Sequence, residues 1–388
     1  MPAVPTIHLD RLRDPALHPI GEKVRRGERL TGADAVTLYR TPDLLGVGHL
    51  ADAVNRARHG DVVTFASNQH INPTNICVLR KTCVFCGYAR LPKEAGAYRY
   101  SLQQVLDEAA QASDSMTREF HIVGGLDMQA GLEYYTTMFR TLKAAHPQVH
   151  IKALTAVEIA HIARIEKLSW TEVLIALRAA GLDTLPGGGA ETFSAAVRDV
   201  IADKKLGGAD YIGVHRAAHA LGIRSNCTML YGHVETIEDR VEHLTMLRDL
   251  QDETGGFLAF IPLAYHPDDN ELGVTLGRQG TSTTGFDDLR NLAVGRLFLD
   301  NFEHIKSHWI MVSTALTQIA LAFGVNDIEG TVVREKIYHA VGAQTQQGMS
   351  LEELLRLIRG AGKQPAERDS FYRVLRTFEP DAALVTAA

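Results

Sequence analysis

The chain has 388 residues, 45% of them hydrophobic and 22% charged, with a formal net charge of −6. That is ordinary globular composition, with length for one large core or two smaller domains. No block of Lys or Arg offers a footprint for nucleic acid, and no apolar run approaches the roughly 18 residues of a membrane span. The opening stretch MPAVPTIHLDRLRDP lacks the apolar core of a signal peptide, so a cytoplasmic location is expected.

Residues 1–60 are expected to form a helical extension. Thr31 is placed to cap a helix entering GADAVTLYR, and DLLGVGHLADAVNRARHG carries apolar positions at helical spacing as far as Gly60. From Asp61 short β-rich runs alternate with amphipathic stretches, the texture of βα units around a parallel sheet. Eight runs read as strands: VVTFAS (62–67), EFHIV (119–123), VHIKAL (149–154), LDTL (182–185), IRSNCTML (223–230), GFLAFIPL (256–263), HIKSHWIMV (304–312) and NDIEG (326–330). Helices fall between them, among them SLQQVLDEAAQA with Ser101 as its cap, GLEYYTTMFRTLKAA, TIEDRVEHLTMLRDLQDE and FDDLRNLAVGRLFLDNF. The expected fold is α/β, a (β/α)8 TIM-type barrel over 61–345. A C-terminal helical extension over 346–388 follows, containing LEELLRLIRG and PAERDSFYRVLRTF.

Only four cysteines occur, and Cys77, Cys83 and Cys86 crowd into ten residues at C-x5-C-x2-C spacing after the first strand. Such crowding suits metal ligation by reduced thiols better than a disulfide framework. Three thiolates on a four-iron cluster leave one iron open to an exogenous ligand, and an open iron implies chemistry. Zinc is the competing occupant, because C-x2-C is also a zinc spacing, but a closed structural zinc needs four ligands and no second C-x2-C pair exists. Cys227 falls inside a predicted strand, where a lone thiol is usually a small buried apolar residue.

In such a barrel the active side chains gather at the C-terminal ends of the strands. The second strand ends in Gly124-Gly125, where a ligand can lie against bare backbone, a tight turn being the plainer account. The third runs into Thr155 and Glu158, a hydroxyl and a carboxylate suited to a ribose hydroxyl or an amine, unless Glu158 simply caps the next helix. The fourth exits into PGGGAE, with Gly188 in its centre and Glu191 at its end, and three consecutive glycines are costly unless a ligand approaches closely. On the fifth, Arg224, Asn226 and Thr228 alternate with Ser225 and Cys227, so one set faces the interior. Tyr231-Gly-His233 and Tyr265-His266 place two histidines at strand ends, where they can donate hydrogen bonds or move protons.

Three clustered cysteines with Phe85 before the last, and a Gly-Gly after the next strand, resemble the radical SAM enzymes. The blocks HIVGG, HIKALTAVEI, LPGGGAE, GIRSNCTMLYGHVET, LRDLQDETGGFLAFIPLAYHP and LDNFEHIKSHWIM resemble, in order over about residues 61–345, the aminofutalosine synthase family of the futalosine route to menaquinone. The sister family, the cyclic dehypoxanthinylfutalosine synthases, shares PGGGAE and LQDETGGF, whereas KALTAVEI, PLAYHP and NFEHIKSHWIM favour the former. Two features depart from the family pattern: five residues separate Cys77 from Cys83 where three are common, and Leu-Asp-Met follows Gly-Gly where His-Pro-Asp is usual. A loop two residues longer costs only a few tenths of a kcal/mol in closure entropy, so the ligand set stands.

The resemblance implies a [4Fe–4S] cluster on Cys77, Cys83 and Cys86, with S-adenosylmethionine (SAM) bound through its amino and carboxylate groups to the open iron and consumed as a co-substrate. It implies a 5′-deoxyadenosyl radical that adds to the vinyl carbon of 3-[(1-carboxyvinyl)oxy]benzoate, with aryl migration and loss of bicarbonate to give 6-amino-6-deoxyfutalosine. A reductant such as flavodoxin or ferredoxin is implied, and a homodimer is compatible with it. Tyr88, Gly124, Gly125, Thr155, Glu158 and Asn226 are expected to hold SAM, and Arg90, Gly188, Glu191 and Tyr231 to meet the substrate. Arg90 and Arg224 are the guanidinium candidates for its carboxylates, and His233, His266 and Arg224 are expected in the chemistry. Two other classes compete: a metal-dependent barrel lyase or hydrolase using His233, His266 and acidic residues without iron, and an iron–sulfur carrier or sensor with Cys227 as fourth ligand.

Overall fold

Helix Gly32–Arg40 starts where the sequence indicates, at Thr31, which forms a capping box with Asp34. Helix Leu44–His59 stops at Gly60, whose φ of 59° is left-handed. Gly32–Arg40 packs on the outer helices Ile237–Thr254 and Gly285–Phe298, and Leu44–His59 packs on Gly285–Phe298. The computed structural model describes residues 7–111, 117–281, 283–333 and 335–379, so the outer ends of the two expected extensions, 1–6 and 380–388, lie outside the described residues.

The strands follow as β1 (Val62–Phe65), β2 (Asn68–Ile71), β3 (Glu119–Ile122), β4 (His150–Ala153), β5 (Ser225–Tyr231), β6 (Phe257–Ala264), β7 (His304–Ser307) and β8 (Asp327–Ile328). β1 pairs in parallel with β8, and β8, β7, β6 and β5 continue in that order; β2, β3 and β4 form a second parallel run. Parallel bridges from Lys152 to Thr184 and from Leu185 to Ser225 carry β4 across to β5. The eight strand positions read from the sequence therefore run round a TIM-type (β/α) barrel, the fourth reduced to bridges. Buried apolar side chains fill the layer between strands and surrounding helices.

The run 62–67 is not one strand. It breaks at Ala66-Ser67 and resumes as β2, because the backbone of residue 330 presses on it: a Cβ on Gly330 would lie 1.7 Å from the Ala66 carbonyl oxygen. β2 itself, Asn68-Gln69-His70-Ile71, escapes apolar patterning because three of its four buried residues are polar. The seventh strand ends at Ser307, and Trp309–Val312 turn into a short helix.

The tail corrects a sequence expectation. Helix Leu351–Arg359 forms as read, capped by Ser350 and Glu353, but PAERDSFYRVLRTF is not helical. Gln364–Arg368 is β9, parallel to β1, and Val374–Thr377 is β10, antiparallel to β9. Buried charge decides this: Arg368, 0% exposed, donates to Asp327 at 2.6 and 2.9 Å, Ser370 donates to Glu119 at 2.5 Å, and Glu367 accepts from Ser67 and Arg376. A helix would withdraw those partners from inside the barrel, a far larger loss than any difference in helix propensity.

Candidate active site

Because side chains alternate along each strand, every second residue projects into the barrel, and these line one cavity of about 290 Å³. Its floor is strand-borne: His70 of β2, His121 of β3, Lys152 of β4, Asn226 and Thr228 of β5, and Lys306 of β7. Its mouth comes from segments beyond the strand ends, including the loop of Cys77, Cys83 and Cys86, then Gly124, Gly125, Thr155, Glu158, Gly188, Glu191 and His266.

The cysteine loop is held from three sides. The five residues between Cys77 and Cys83 coil into turns, Arg80 N donating to the Cys77 carbonyl at 3.2 Å and Cys83 N to that of Leu79 at 2.9 Å, which absorbs the longer spacing. Val84 N donates to Ile201 O at 3.0 Å and Val84 O accepts from Leu272 N at 2.9 Å. All three thiols are free; burial raises that of Cys77 and pushes that of Cys83 up to about 12, so metal loading would release protons. Among the described residues no three His, Cys, Asp or Glu side chains converge tightly enough for a single ion. Three free thiols along one cavity wall suit a larger cluster with an open iron facing the cavity.

The family model for the radical SAM superfamily matches residues 71–247, and one described as the CofH/MqnC C-terminal region matches 254–380. The aminodeoxyfutalosine synthase of Thermus thermophilus is 45% identical over 95% of this chain and 98% of its own, and that of Streptomyces coelicolor 42% over 93% and 95%. The chain belongs to the aminodeoxyfutalosine synthase family of radical SAM enzymes. A sister enzyme, the cyclic dehypoxanthine futalosine synthase of Streptomyces coelicolor, is 37% identical over 92% of this chain and 89% of its own. At the level of fold alone, the FeFe-hydrogenase maturase HydG from Carboxydothermus hydrogenoformans superposes with a TM-score of 0.71 at 16% identity, covering 92% of this chain and 80% of that one.

In this radical SAM cavity the expected residues divide. Glu158 is both things the sequence offered: it closes the capping box with Thr155, accepting from Thr155 N at 2.7 Å, and it accepts from Gly124 N at 2.9 Å at the cavity wall. Tyr88 lines the wall with its hydroxyl 2.5 Å from that of Tyr98. The glycine pair does not leave free amides, since Gly125 N donates to Thr74 O at 2.8 Å. A Cβ on Gly125 would sit 2.2 Å from the Ile76 carbonyl oxygen, so the pair admits the strand feeding the cysteine loop. Of the three consecutive glycines, Gly187 packs on the Cys227 backbone, while Gly188 has only Thr155 Cγ2 at 3.4 Å and stays open to a ligand.

Four expected residues lie elsewhere. Arg224 precedes β5, at the end remote from the mouth, where Glu303 is its acidic neighbour. Tyr231 shares the outward parity of Cys227 and donates to Asp288 at 2.7 Å. His233, turned back beyond Gly232 (φ 88°), donates from Nε2 to Leu230 O at 3.1 Å and accepts from Val234 N at Nδ1. Arg90 spends Nη1 on the carbonyls of Gly87 and Ala89 at 2.7 and 2.8 Å, fastening the cysteine loop instead of facing substrate. His266 does line the cavity, donating from Nε2 to Met311 O at 3.0 Å and keeping Nδ1 as an acceptor.

Sequence reading missed the buried ionic band. Lys205 ion-pairs with Glu191 and lies 5.4 Å from the centre of the Phe85 ring. Lys152 meets Glu119 at 2.6 Å, and Lys306 meets Asp327 and Glu329 at 3.3 Å each. Burial opposes the Glu119 charge, but Lys152 and Arg368 outweigh it and hold the carboxyl down at about 2. The available signal was a lysine at inward parity within otherwise apolar runs, HIKAL and HIKSH, since buried lysines are found only when paired.

Burial pushes Glu158 up to about 7 from an ordinary value near 4.5. The folded protein then binds this proton more tightly than the unfolded chain, so the group's stabilising contribution is complete below pH 4.5 and fades as pH rises toward 7. Urea unfolding of wild type is expected to lose on the order of 2–3 kcal/mol more between pH 5 and 8 than Glu158→Gln does. Parallel pH profiles for the two proteins would remove Glu158 as the cause.

Proposed function

We propose that the protein converts 3-[(1-carboxyvinyl)oxy]benzoate, SAM and one water to 6-amino-6-deoxyfutalosine, methionine, bicarbonate and a proton. The observation that carries this reading is the placement of Cys77, Cys83 and Cys86 at the mouth of a barrel cavity whose floor is polar. When bound, the cluster donates the electron that cleaves SAM to methionine and a 5′-deoxyadenosyl radical. Cys77, Cys83 and Cys86 would hold it, and Glu158, Thr155, Asn226 and the open Gly188 are the polar groups and bare backbone within reach of SAM beside it.

The chain's remaining tasks are positioning and exclusion. Apolar Val123, Leu126, Ile261 and Leu263 line the walls between mouth and floor and keep water from the reacting carbon. His266 Nδ1 offers an acceptor for a proton released when water joins the departing carboxylate to give bicarbonate. A one-electron donor such as flavodoxin or ferredoxin supplies the reducing electron, and the reaction belongs in the cytoplasm. No helix among the described residues is long and apolar enough to cross a membrane.

Anaerobic reconstitution with iron and sulfide, reduction, and addition of SAM with 3-[(1-carboxyvinyl)oxy]benzoate is expected to yield aminodeoxyfutalosine and methionine by mass spectrometry. Cleavage to 5′-deoxyadenosine without that product, together with turnover of dehypoxanthine futalosine, would transfer the chain to the sister activity. Absence of both cluster and cleavage would overturn the reading.

A further inference from the structure

The substrate brings two carboxylates, and the cations that sequence suggested are not free to meet them. Neither Arg90 nor Arg224 lines the cavity, and each lysine lining it already faces a carboxylate. Asn226 Oδ1 on the same lining is unpartnered but can only accept, so the unpartnered buried ring nitrogens are the groups able to donate. His70 Nε2 and His308 Nδ1 are buried with no hydrogen-bond partner. The two residues are 9% and 7% exposed and both line the cavity. Native structures pair nearly all buried polar atoms, so two bare ring nitrogens on one cavity wall mark a ligand's position.

Topology brings them together. β2 carries His70, β8 continues the other side of that bent strand, and β7, next to β8, runs directly into His308. Glu329, at the end of β8, lies close enough to both rings to bias their ionisation, as does Lys306 with opposite sign. Burial keeps both imidazoles neutral at ordinary pH, so each carries a single N–H that is free to sit on the open nitrogen.

We propose that His70 and His308 form the subsite for the ring-borne carboxylate of the aromatic substrate, each donating one N–H to it. The assignment rests on the substrate reading above. The vinyl carbon must reach SAM beside the cysteines, so the benzoate end of the molecule extends away from them along the lining that carries His70 on β2 and His308 just past β7. Two convergent donors from different strands also fix the ring against rotation, which a radical addition to one face of an alkene requires.

The test uses reconstituted holoenzyme carrying His70→Leu or His308→Leu, with His70→Gln and His308→Asn as variants that restore an amide donor near the lost nitrogen. Each leucine variant is expected to raise KM for 3-[(1-carboxyvinyl)oxy]benzoate by about 10- to 100-fold, the loss of one hydrogen bond to a charged group. The reduced-cluster electron paramagnetic resonance signal and substrate-free SAM cleavage should persist, and the amide variants should recover most of the affinity. Calorimetry with isophthalate, the simplest aromatic carrying two such carboxylates, reads the same subsite without chemistry: wild type binds and the leucine variants do not. Unchanged KM and unchanged isophthalate binding in both leucine variants would overturn the subsite. Wild type that binds isophthalate through these histidines yet fails to turn over 3-[(1-carboxyvinyl)oxy]benzoate would instead overturn the substrate while the carboxylate subsite stands.

Discussion

Cys83→Ala is expected to yield a folded, colourless protein with turnover reduced by more than about 10³-fold, since no other group in the cavity supplies the missing iron ligand. The fold should survive because the backbone at this position is anchored independently of the thiol. Cys83 N donates to Leu79 O, and the residue bridges Ala202. Loss of a single small buried side chain should cost only about 1 kcal/mol. Iron and sulfide content, visible absorption and thermal midpoint, read on the same preparation, separate the two effects. Cys227→Ala is the matched control: its thiol is fully buried against the Ala259 carbonyl at 3.7 Å and does not line the cavity, so iron content and activity should remain at wild-type levels. Full iron in Cys83→Ala would displace the ligand set, and iron lost in Cys227→Ala would revive a four-thiol site.

The barrel was legible because its signals are local. Apolar runs alternate with capped amphipathic helices, and the caps at Thr31 and Ser101 formed as read. Two of the chain's departures from that reading, β2 and the tail, share one physical source, polar groups that are stable inside only because of distant partners. β2 looks like loop until Asn68 finds Glu329, 261 residues away, at 2.7 Å. PAERDSFYRVLRTF has the composition of a surface helix until Arg368 and Ser370 find Asp327 and Glu119. No window of sequence contains both halves of such a pair.

The site divides along the same line. Cys77, Cys83, Cys86, Thr155 and Glu158 line the cavity where spacing and capping, both local properties, put them. Tyr231 was misplaced where a local rule would have served: alternation puts it on the face of Cys227, away from Asn226 and Thr228. Arg224 has inward parity but the wrong height, since it precedes the strand and substrate chemistry collects beyond strand ends. His233 and Arg90 were chosen for residue type at a rim position. Whether such a side chain faces a ligand or the neighbouring carbonyls is settled by backbone turns that sequence patterning does not report.

The ionic band beneath the cavity carries the second large expectation. Asp327, 0% exposed, accepts from Arg368 Nε at 2.6 Å and Nη2 at 2.9 Å, accepts from Thr64 Oγ1 at 2.6 Å, and faces Lys306 at 3.3 Å. It is the anion shared by two buried cations, Lys306 on β7 and Arg368 on β9. Replacing the whole group with apolar residues of similar volume need not destabilise, but removing one member strands buried charge and typically costs about 3–5 kcal/mol. Asp327→Ala is therefore expected to lose roughly that much in urea unfolding, or to fail to accumulate in soluble form. Asp327→Asn, which keeps acceptor oxygen but not charge, should fall between. The compensating variant decides the cause: if uncompensated positive charge is the defect, Asp327→Ala combined with Arg368→Met should recover stability relative to Asp327→Ala alone. Equal or greater instability in the double variant would show that the cost lies in the cavity left behind. The same experiment reads function, because Lys306 and Glu329 line the floor above Asp327. A recovered fold with weakened substrate binding would place this band in the positioning of the site as well as in its stability.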